Sequence, residues 1–393
     1  MLKLKKVWNL KFCTVICIMI CFFNTLSSSI VLAENEKTNV SLEISAPSAI
    51  LIEAESGEVL FEKDSHAKLP PASVTKIMTM LLVVEAVDSG QISMEDKVRC
   101  SEFAASMGGS QVYLEPNEEM TVHDMLKAVA VASGNDAAVA LSEFVAGSHE
   151  EFVIRMNERA KELGMNDTNF INCNGLDEDG HFTSAYDISL MSKELISHPK
   201  ILEFTSIWMD SLRGGEFGLV NTNKLIRFYE GANGLKTGST SVAKYCLSAS
   251  AKRDNMTLIA VVLGAPSSKE RFADATKLLD YGFANYAIAN SLVKEDDLSE
   301  IKILKGEKEL MKPGVSESSG VLVSKAKLGQ IEKSISVPKE VNAPIEKGEK
   351  LGEIEYYVDG EKVGSTDVIA IEKVKKIGPI KMFARMAEEL MYG

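Results

Sequence analysis

Two pairs of short apolar runs, one early in the chain and one two hundred residues later, constrain its fold more than any other feature. Ala49 to Glu53 and Glu58 to Glu62 flank Glu55-Ser56-Gly57, while Tyr245 to Lys252 and Met256 to Gly264 flank Arg253-Asp254-Asn255. Each pair has the pattern of an antiparallel hairpin. Between them the apolar spacing turns helical, with Ile77, Met80, Leu81 and Val84 in Val74 to Val87, and the same period in Met120 to Ala132 and Asp136 to Val145. A further helical pattern, Glu270 to Ala287, follows the second hairpin. Strands at both ends of a helix-rich stretch bury their apolar faces most simply by joining one sheet with helices laid on it. This predicts an α+β domain over residues 40–288, an antiparallel sheet covered by helices.

Beyond Asn290 the chain changes to short alternating runs of Lys, Glu, Val and Ile, broken at Pro313-Gly314, Pro338, Pro344 and Gly348. A small all-β domain is expected over residues 291–372. Residues 373–393 place Ile377, Ile380, Phe383, Ala384, Ala387, Leu390 and Met391 on one helical face, with Lys373, Lys375, Lys376, Lys381 and Arg385 in or beside it. That pattern predicts an amphipathic helix lying on a membrane surface.

At the other end, Lys3, Lys5, Lys6 and Lys11 precede the apolar run from Phe12 to Phe23, and Val31-Leu32-Ala33 offers a cleavage site. Residues 1–33 therefore read as a secretory signal peptide, the run being short of the ~20 residues of a membrane span. The mature protein is expected outside the cytoplasm, on the outer face of the cytoplasmic membrane. The 43 basic and 56 acidic residues leave a net charge of −13, and losing the lysine-rich leader makes the remainder more acidic still. A nucleic-acid partner, which needs a cationic face, is excluded on that ground. Cys100, Cys173 and Cys246 remain after the leader, an odd number without C-x-x-C spacing, and the five histidines form no H-E-x-x-H. Neither a disulfide framework nor a metal site is indicated, and no cofactor is expected.

Ser73-Val74-Thr75-Lys76 places a hydroxyl and an amine three residues apart, on one face of a helix, where the amine can deprotonate the hydroxyl. The four-residue string alone carries little, because it occurs eight times in the chain. What marks Ser73 is its setting, after Leu69-Pro70-Pro71-Ala72 and before a strongly apolar helix. Two further strings occur once each, Ser133-Gly134-Asn135 and Lys236-Thr237-Gly238. Alone the first reads as a helix cap and the second as an ordinary turn. Together and in this order they are the set found in penicillin-binding proteins and class A β-lactamases.

With Pro71-Ala72-Ser73-Val74-Thr75-Lys76, Ala132-Ser133-Gly134-Asn135-Asp136-Ala137 and Gly234-Leu235-Lys236-Thr237-Gly238, the chain from Ser48 to Phe283 resembles the D-alanyl-D-alanine carboxypeptidases. These are low-molecular-mass penicillin-binding proteins of the serine-type DD-peptidase/β-lactamase superfamily. The likeness takes in Thr183-Ser184-Ala185-Tyr186-Asp187, Tyr245-Cys246-Leu247 and Arg271-Phe272, and extends more loosely to the β-rich tail and terminal helix. It implies removal of the terminal D-alanine from the pentapeptide stem of peptidoglycan, and acylation by β-lactam antibiotics. It also implies roles: Ser73 as nucleophile, Lys76 as its base, and Ser133 as a proton relay to the leaving amine. Asn135 would bind the substrate amide, and Lys236, Thr237 and Gly238 would form a strand-like wall. The N–H groups of Ser73 and Ser239 would make the oxyanion hole, with Thr237, Ser239 and Arg271 taking the terminal carboxylate.

An unperturbed lysine near pKa ~10.4 is almost wholly protonated at neutral pH, so Lys76 must be depressed. A like charge at about 4 Å in an effective dielectric of about 20 contributes about 4 kcal/mol, which makes Lys236, together with burial, the expected cause. Two other classes of function compete. A class A β-lactamase needs a general-base glutamate in a Glu-x-x-Leu-Asn pattern, and no such string lies between Asn135 and Lys236. A non-catalytic cell-wall binding protein would not need Ser73, Lys76 and Lys236 intact. His181 invites a triad, but the lysine-based set already supplies a base, so it is expected to be non-catalytic or to position a loop; Gly108-Gly109-Ser110 reads as a flexible loop near the cleft.

Overall fold

A computed structural model describes residues 42–289, 297–316 and 320–392. The leader expected at residues 1–33 lies outside the described residues. Five strands, β1 (Ser48–Glu53), β2 (Val59–Lys63), β3 (Ala232–Thr240), β4 (Lys244–Arg253) and β5 (Met256–Ala265), form one antiparallel sheet in the order β2-β1-β5-β4-β3. Both expected hairpins are present, and they share this sheet through β1 and β5, paired from Ser48 with Leu263 to Glu53 with Leu258. The unbroken apolar run from Leu258 to Leu263 is fully buried, as in a strand covered on both faces. One face carries the helix Ser268–Asn285, whose Gly282 lies against Leu51 and Leu258. The other contributes Ile50, Ile52, Ile259 and Val261 to the main core with Ile188, Met191 and Leu195 of the helix Ala185–Ile196.

The helix α1 (Lys76–Asp88) runs through that core. It is apolar on nearly all sides, with Ile77, Met78, Met80, Leu81, Val83 and Val84 fully buried, which is the composition of an interior helix rather than a surface one. The stretch Met120 to Ala132 is not the single helix its spacing suggested. It opens as the short strand Glu119–Thr121, becomes the helix Val122–Lys127 capped by the Thr121 hydroxyl, and widens into a π-helical turn over Ala128–Ala132. The wider turn brings Ser133 out in a left-handed conformation, φ 65°, and α2 (Asn135–Ala146) starts immediately after it.

The C-terminal part holds a four-stranded antiparallel sheet and a three-stranded sheet, the latter with a parallel pair between Ile301–Leu304 and Glu340–Asn342. Its pairing reaches back to Tyr286–Ala289, which joins Val321–Ser324. Two apolar clusters fill it, one around Ile354, Tyr356 and Val368, the other around Ile301, Ile303, Ile345 and Val374.

The terminal segment differs from the expected helix over 373–393. The helix spans only Pro379–Tyr392, and residues 373–378 run as a strap along the β-rich part, Val374 bridging Ile345 and Lys376 bridging Gly306. Ile377, expected on the lipid face, is 7% exposed, and its N–H bonds the Lys305 carbonyl. Two of the counted cations form ion pairs at the surface of the β-rich part, Lys373 with Glu346 at 2.7 Å and Arg385 with Glu309 at 2.9 Å. Ile380 and Phe383 do stand free, 87% and 78% exposed. Among the described residues no helix is long and apolar enough to cross a membrane.

Candidate active site

Pro70 and Pro71 keep the chain out of helix until a 3-10 turn, Ala72–Thr75, leads into α1. Ala72 takes φ 48°, a left-handed conformation that alanine rarely adopts. Two contacts hold it there. The Thr75 hydroxyl donates to the Ala72 carbonyl at 2.8 Å, and the backbone of Gly175, φ 83°, lies so close that a Cβ would stand 1.9 Å from the same oxygen. Ser73 follows, half-buried, and one helical turn on Lys76 is fully buried. The Lys76 Nζ lies 2.9 Å from Ser73 Oγ, 2.5 Å from Asn135 Oδ1 and 2.6 Å from the Asn174 carbonyl.

These partners define what the amine can do. Two are acceptors that cannot give up a proton, so a neutral Lys76 donates to both and turns its lone pair toward the Ser73 hydroxyl. Burial pulls its pKa from the usual 10.5 down to about 7, with Cys173 and Asp136 pulling weakly the other way. Of the two expected causes, burial and Lys236, burial is the one that acts on Lys76, and Lys236 is not among the groups that shift it. Lys236 is itself fully buried and well below its ordinary range, through burial first and then repulsion from Lys76 and Arg271.

The corner Ser133-Gly134-Asn135 forms the second wall. Asn135 accepts from Lys76 at Oδ1 and donates from Nδ2 to the Gly108 carbonyl at 2.6 Å, while its N–H donates to the Ser110 carbonyl at 2.7 Å. The Gly108-Gly109-Ser110 loop is therefore fastened to the corner. Asp136 completes the attachment, its buried carboxylate accepting from the N–H groups of Val112, Leu114 and Ala137. Ser133 Oγ is buried and has no hydrogen-bond partner among the described residues.

The third wall is β3, the edge strand of the sheet. Gly238 faces Cys246 across the ladder, and Arg271 reaches the carbonyls of both, so the backbone groups of Thr237 and Ser239 turn toward the open edge. Ser239 is exposed there, and the Thr237 hydroxyl bonds Thr222 at 2.7 Å. Lys236 Nζ donates to the Thr237 carbonyl at 3.0 Å. Arg271 is 6% exposed and directed at backbone carbonyls and Ser268, with its Nε unpartnered among the described residues. Burial lowers its pKa to about 10. It supports the wall from within and adds positive charge, rather than reaching into the cleft.

The structure thus brings Ser73, Lys76 and Asn135 into direct contact, and packs Gly238 against the turn that carries Ser73. Sequence reasoning missed Asn174, which acts through its backbone carbonyl, and Gly175 and Asp136, which act on other residues' backbone. The Asn-Gly pair at 174–175 was the available signal, since it marks a turn with positive φ.

Residues 34–267 match the family model for D-alanyl-D-alanine carboxypeptidase, and residues 289–376 that for the C-terminal domain of penicillin-binding protein 5. The D-alanyl-D-alanine carboxypeptidase DacF of Bacillus subtilis is 48% identical over 365 residues, 92% of this chain and 94% of its own length. The solved structure of penicillin-binding protein 5 from Haemophilus influenzae covers 85% of this chain and 99% of its own, at 31% identity and a TM-score of 0.72. Penicillin-binding protein D2 from Listeria monocytogenes, solved in the ampicillin-bound form, covers 62% of this chain and 99% of its own, at 36% identity and a TM-score of 0.57.

The packing at Gly238 yields a direct test. A Cβ there would stand 2.8 Å from the Pro71 carbonyl oxygen and 2.9 Å from the N atoms of Ser73 and Val74, all backbone. Gly238→Ala should force β3 away from the Ser73 turn and slow labelling by a fluorescent penicillin by about a hundredfold. Labelling at the wild-type rate would mean that the two walls need not touch.

Proposed function

The chain belongs to the D-alanyl-D-alanine carboxypeptidase family, and from the geometry of its cleft we propose that it releases the terminal D-alanine of peptidoglycan stem pentapeptides through an acyl-enzyme on Ser73. The observation that carries this reading is the buried Lys76 amine, 2.9 Å from the Ser73 hydroxyl and without a carboxylate to hold its proton. The stem peptide adds as a strand to the open edge of β3, where Thr237 and Ser239 offer backbone groups. Asn135 keeps one amide hydrogen for the substrate.

Ser73 Oγ attacks the carbonyl of the penultimate residue as its proton passes to the Lys76 lone pair. The oxyanion meets the N–H groups of Ser73 and Ser239. The C–N bond then breaks, and the leaving amine takes a proton from Lys76 through Ser133 Oγ, whose lack of a competing partner suits a relay. Water, deprotonated by the again neutral Lys76, releases the shortened stem. Lys236 and Arg271 supply a positive field for the terminal carboxylate, which bonds the Thr237 and Ser239 hydroxyls. A β-lactam would enter by the same acylation, as the ampicillin-bound form of the Listeria protein suggests.

We further propose that the protein is secreted by the leader and rests on the outer face of the cytoplasmic membrane through its terminal helix. Burying Ile380 and Phe383 contributes about 1.5–3 kcal/mol each, with Lys375, Lys376 and Lys381 adding attraction to anionic lipid.

Ser73→Ala should abolish both D-alanine release and penicillin labelling in a folded protein; undiminished release would end the mechanism. The pH profile of acylation should rise through about pH 7, because the base must be neutral and Lys76 loses its proton there. Lys236→Met at similar volume should leave the rising limb near pH 7, because burial rather than Lys236 sets the pKa of Lys76. A limb displaced to higher pH would mean that Lys236 acts on Lys76 as a like charge. For the anchor, truncation after Gly378 keeps Val374 and Ile377 packed and should free the mature protein from anionic liposomes while small-peptide turnover stays normal. Equal sedimentation of both forms would make the helix a packing element.

A further inference from the structure

We propose that His181 is a positioning residue for acylation: it locks the Thr75 hydroxyl onto the Ala72 carbonyl and so holds the peptide unit that presents the Ser73 N–H to the oxyanion. The inference rests on Ser73 being the acylated residue. Its substance is a chain of three hydrogen bonds. The Ile171 N–H donates to His181 Nδ1 at 3.0 Å, His181 Nε2 lies 2.8 Å from Thr75 Oγ1, and Thr75 Oγ1 donates to the Ala72 carbonyl at 2.8 Å.

The partners fix every proton in it. A backbone N–H can only donate, so Nδ1 carries no proton. The Thr75 proton is committed to Ala72, so Nε2 must supply the next one. The ring is therefore neutral, with its hydrogen on Nε2. It has no lone pair free for the Ser73 hydroxyl and cannot serve as its base. Burial also holds the ring at a pKa of about 4, although Asp177, the charged group facing it, pulls the other way, and Phe170 packs on it at 5.9 Å.

The consequence for Ser73 follows from the planarity of the peptide bond. Ala72 C=O and Ser73 N–H belong to one rigid unit and point in opposite directions, so gripping the oxygen aims the hydrogen. The grip is needed because Ala72 is left-handed at φ 48° and relaxes readily if released. Gly175 closes the other side of the carbonyl, but by contact rather than by a directed bond.

The experiment compares Thr75→Val, His181→Leu, His181→Gln and the double variant Thr75→Val/His181→Leu with the wild type. It measures the limiting acylation rate and the preceding dissociation constant with a fluorescent penicillin, together with Tm. Thr75→Val and His181→Leu should each lower the limiting rate by about tenfold, with binding changed by less than about twofold. The double variant should be no slower than the slower single, since both cut one chain. His181→Gln, whose amide offers an acceptor and a donor at similar separation, should recover most of the rate. The rising limb should stay near pH 7 throughout. Thr75→Val is isosteric and carries the test by itself if His181→Leu does not fold. Wild-type rates in Thr75→Val, fully additive losses, or a limb that moves in His181→Gln would each overturn the proposal. Mass-spectrometric mapping of the label to Ser73 in the wild type tests the underlying reading separately.

Discussion

The amine of Lys76 sits at the head of an apolar interior helix with neutral oxygens for company, and much of the cleft follows from that placement. Bringing a lysine from its ordinary range to about 7 corresponds to roughly 5 kcal/mol of preference for the neutral form. A carboxylate in contact would cancel that preference. The nearby buried acid, Asp136, instead spends its oxygens on three backbone N–H groups. Its pull on Lys76 is left as a minor one, while its hydrogen bonds fix the loop beside Asn135.

A second constraint is closeness. The turn that carries Ser73 is pressed between the backbone of Gly175 and that of Gly238, with no side chain admitted at either contact. Lys76, Lys236 and Arg271 are buried around the same point. Such a concentration of basic groups in one buried place costs stability, and the charge that remains on Arg271 provides a positive field at one end of the cleft, where an anionic terminus would sit. Positive φ at Ala72 and at Ser133 adds local strain, a concentration expected where a site has been organised at the expense of relaxed geometry.

The sheet was legible because its strands are short, apolar and bounded by turn residues, and because pairing them across the chain is the simplest way to cover them. The three motifs were legible because two of them occur once each and all three stand in an order that chance rarely produces. The break at Met120 to Ala132 was not, since a π-helical turn keeps nearly the same apolar spacing as an α-helix. The strap at residues 373–378 was missed for a related reason: Val374 and Ile377 fit a helical face as well as they fit an extended pairing. Asn174 escaped because a backbone carbonyl has no residue identity to read. The dominance of burial over charge at Lys76 depends on the whole core around α1, which no local window contains.

Ser133 shows how such a site differs from a satisfied interior. A buried hydroxyl left without a partner costs free energy, and most buried polar groups avoid that cost. Here the π-helical turn and a left-handed residue deliver the hydroxyl to the corner, next to the residue that holds Lys76. A partner fixed in the free protein would have to be broken before a proton could move. Leaving the hydroxyl unpaired keeps it free to rotate between donor and acceptor, which is the property that the relay proposed for Ser133 requires.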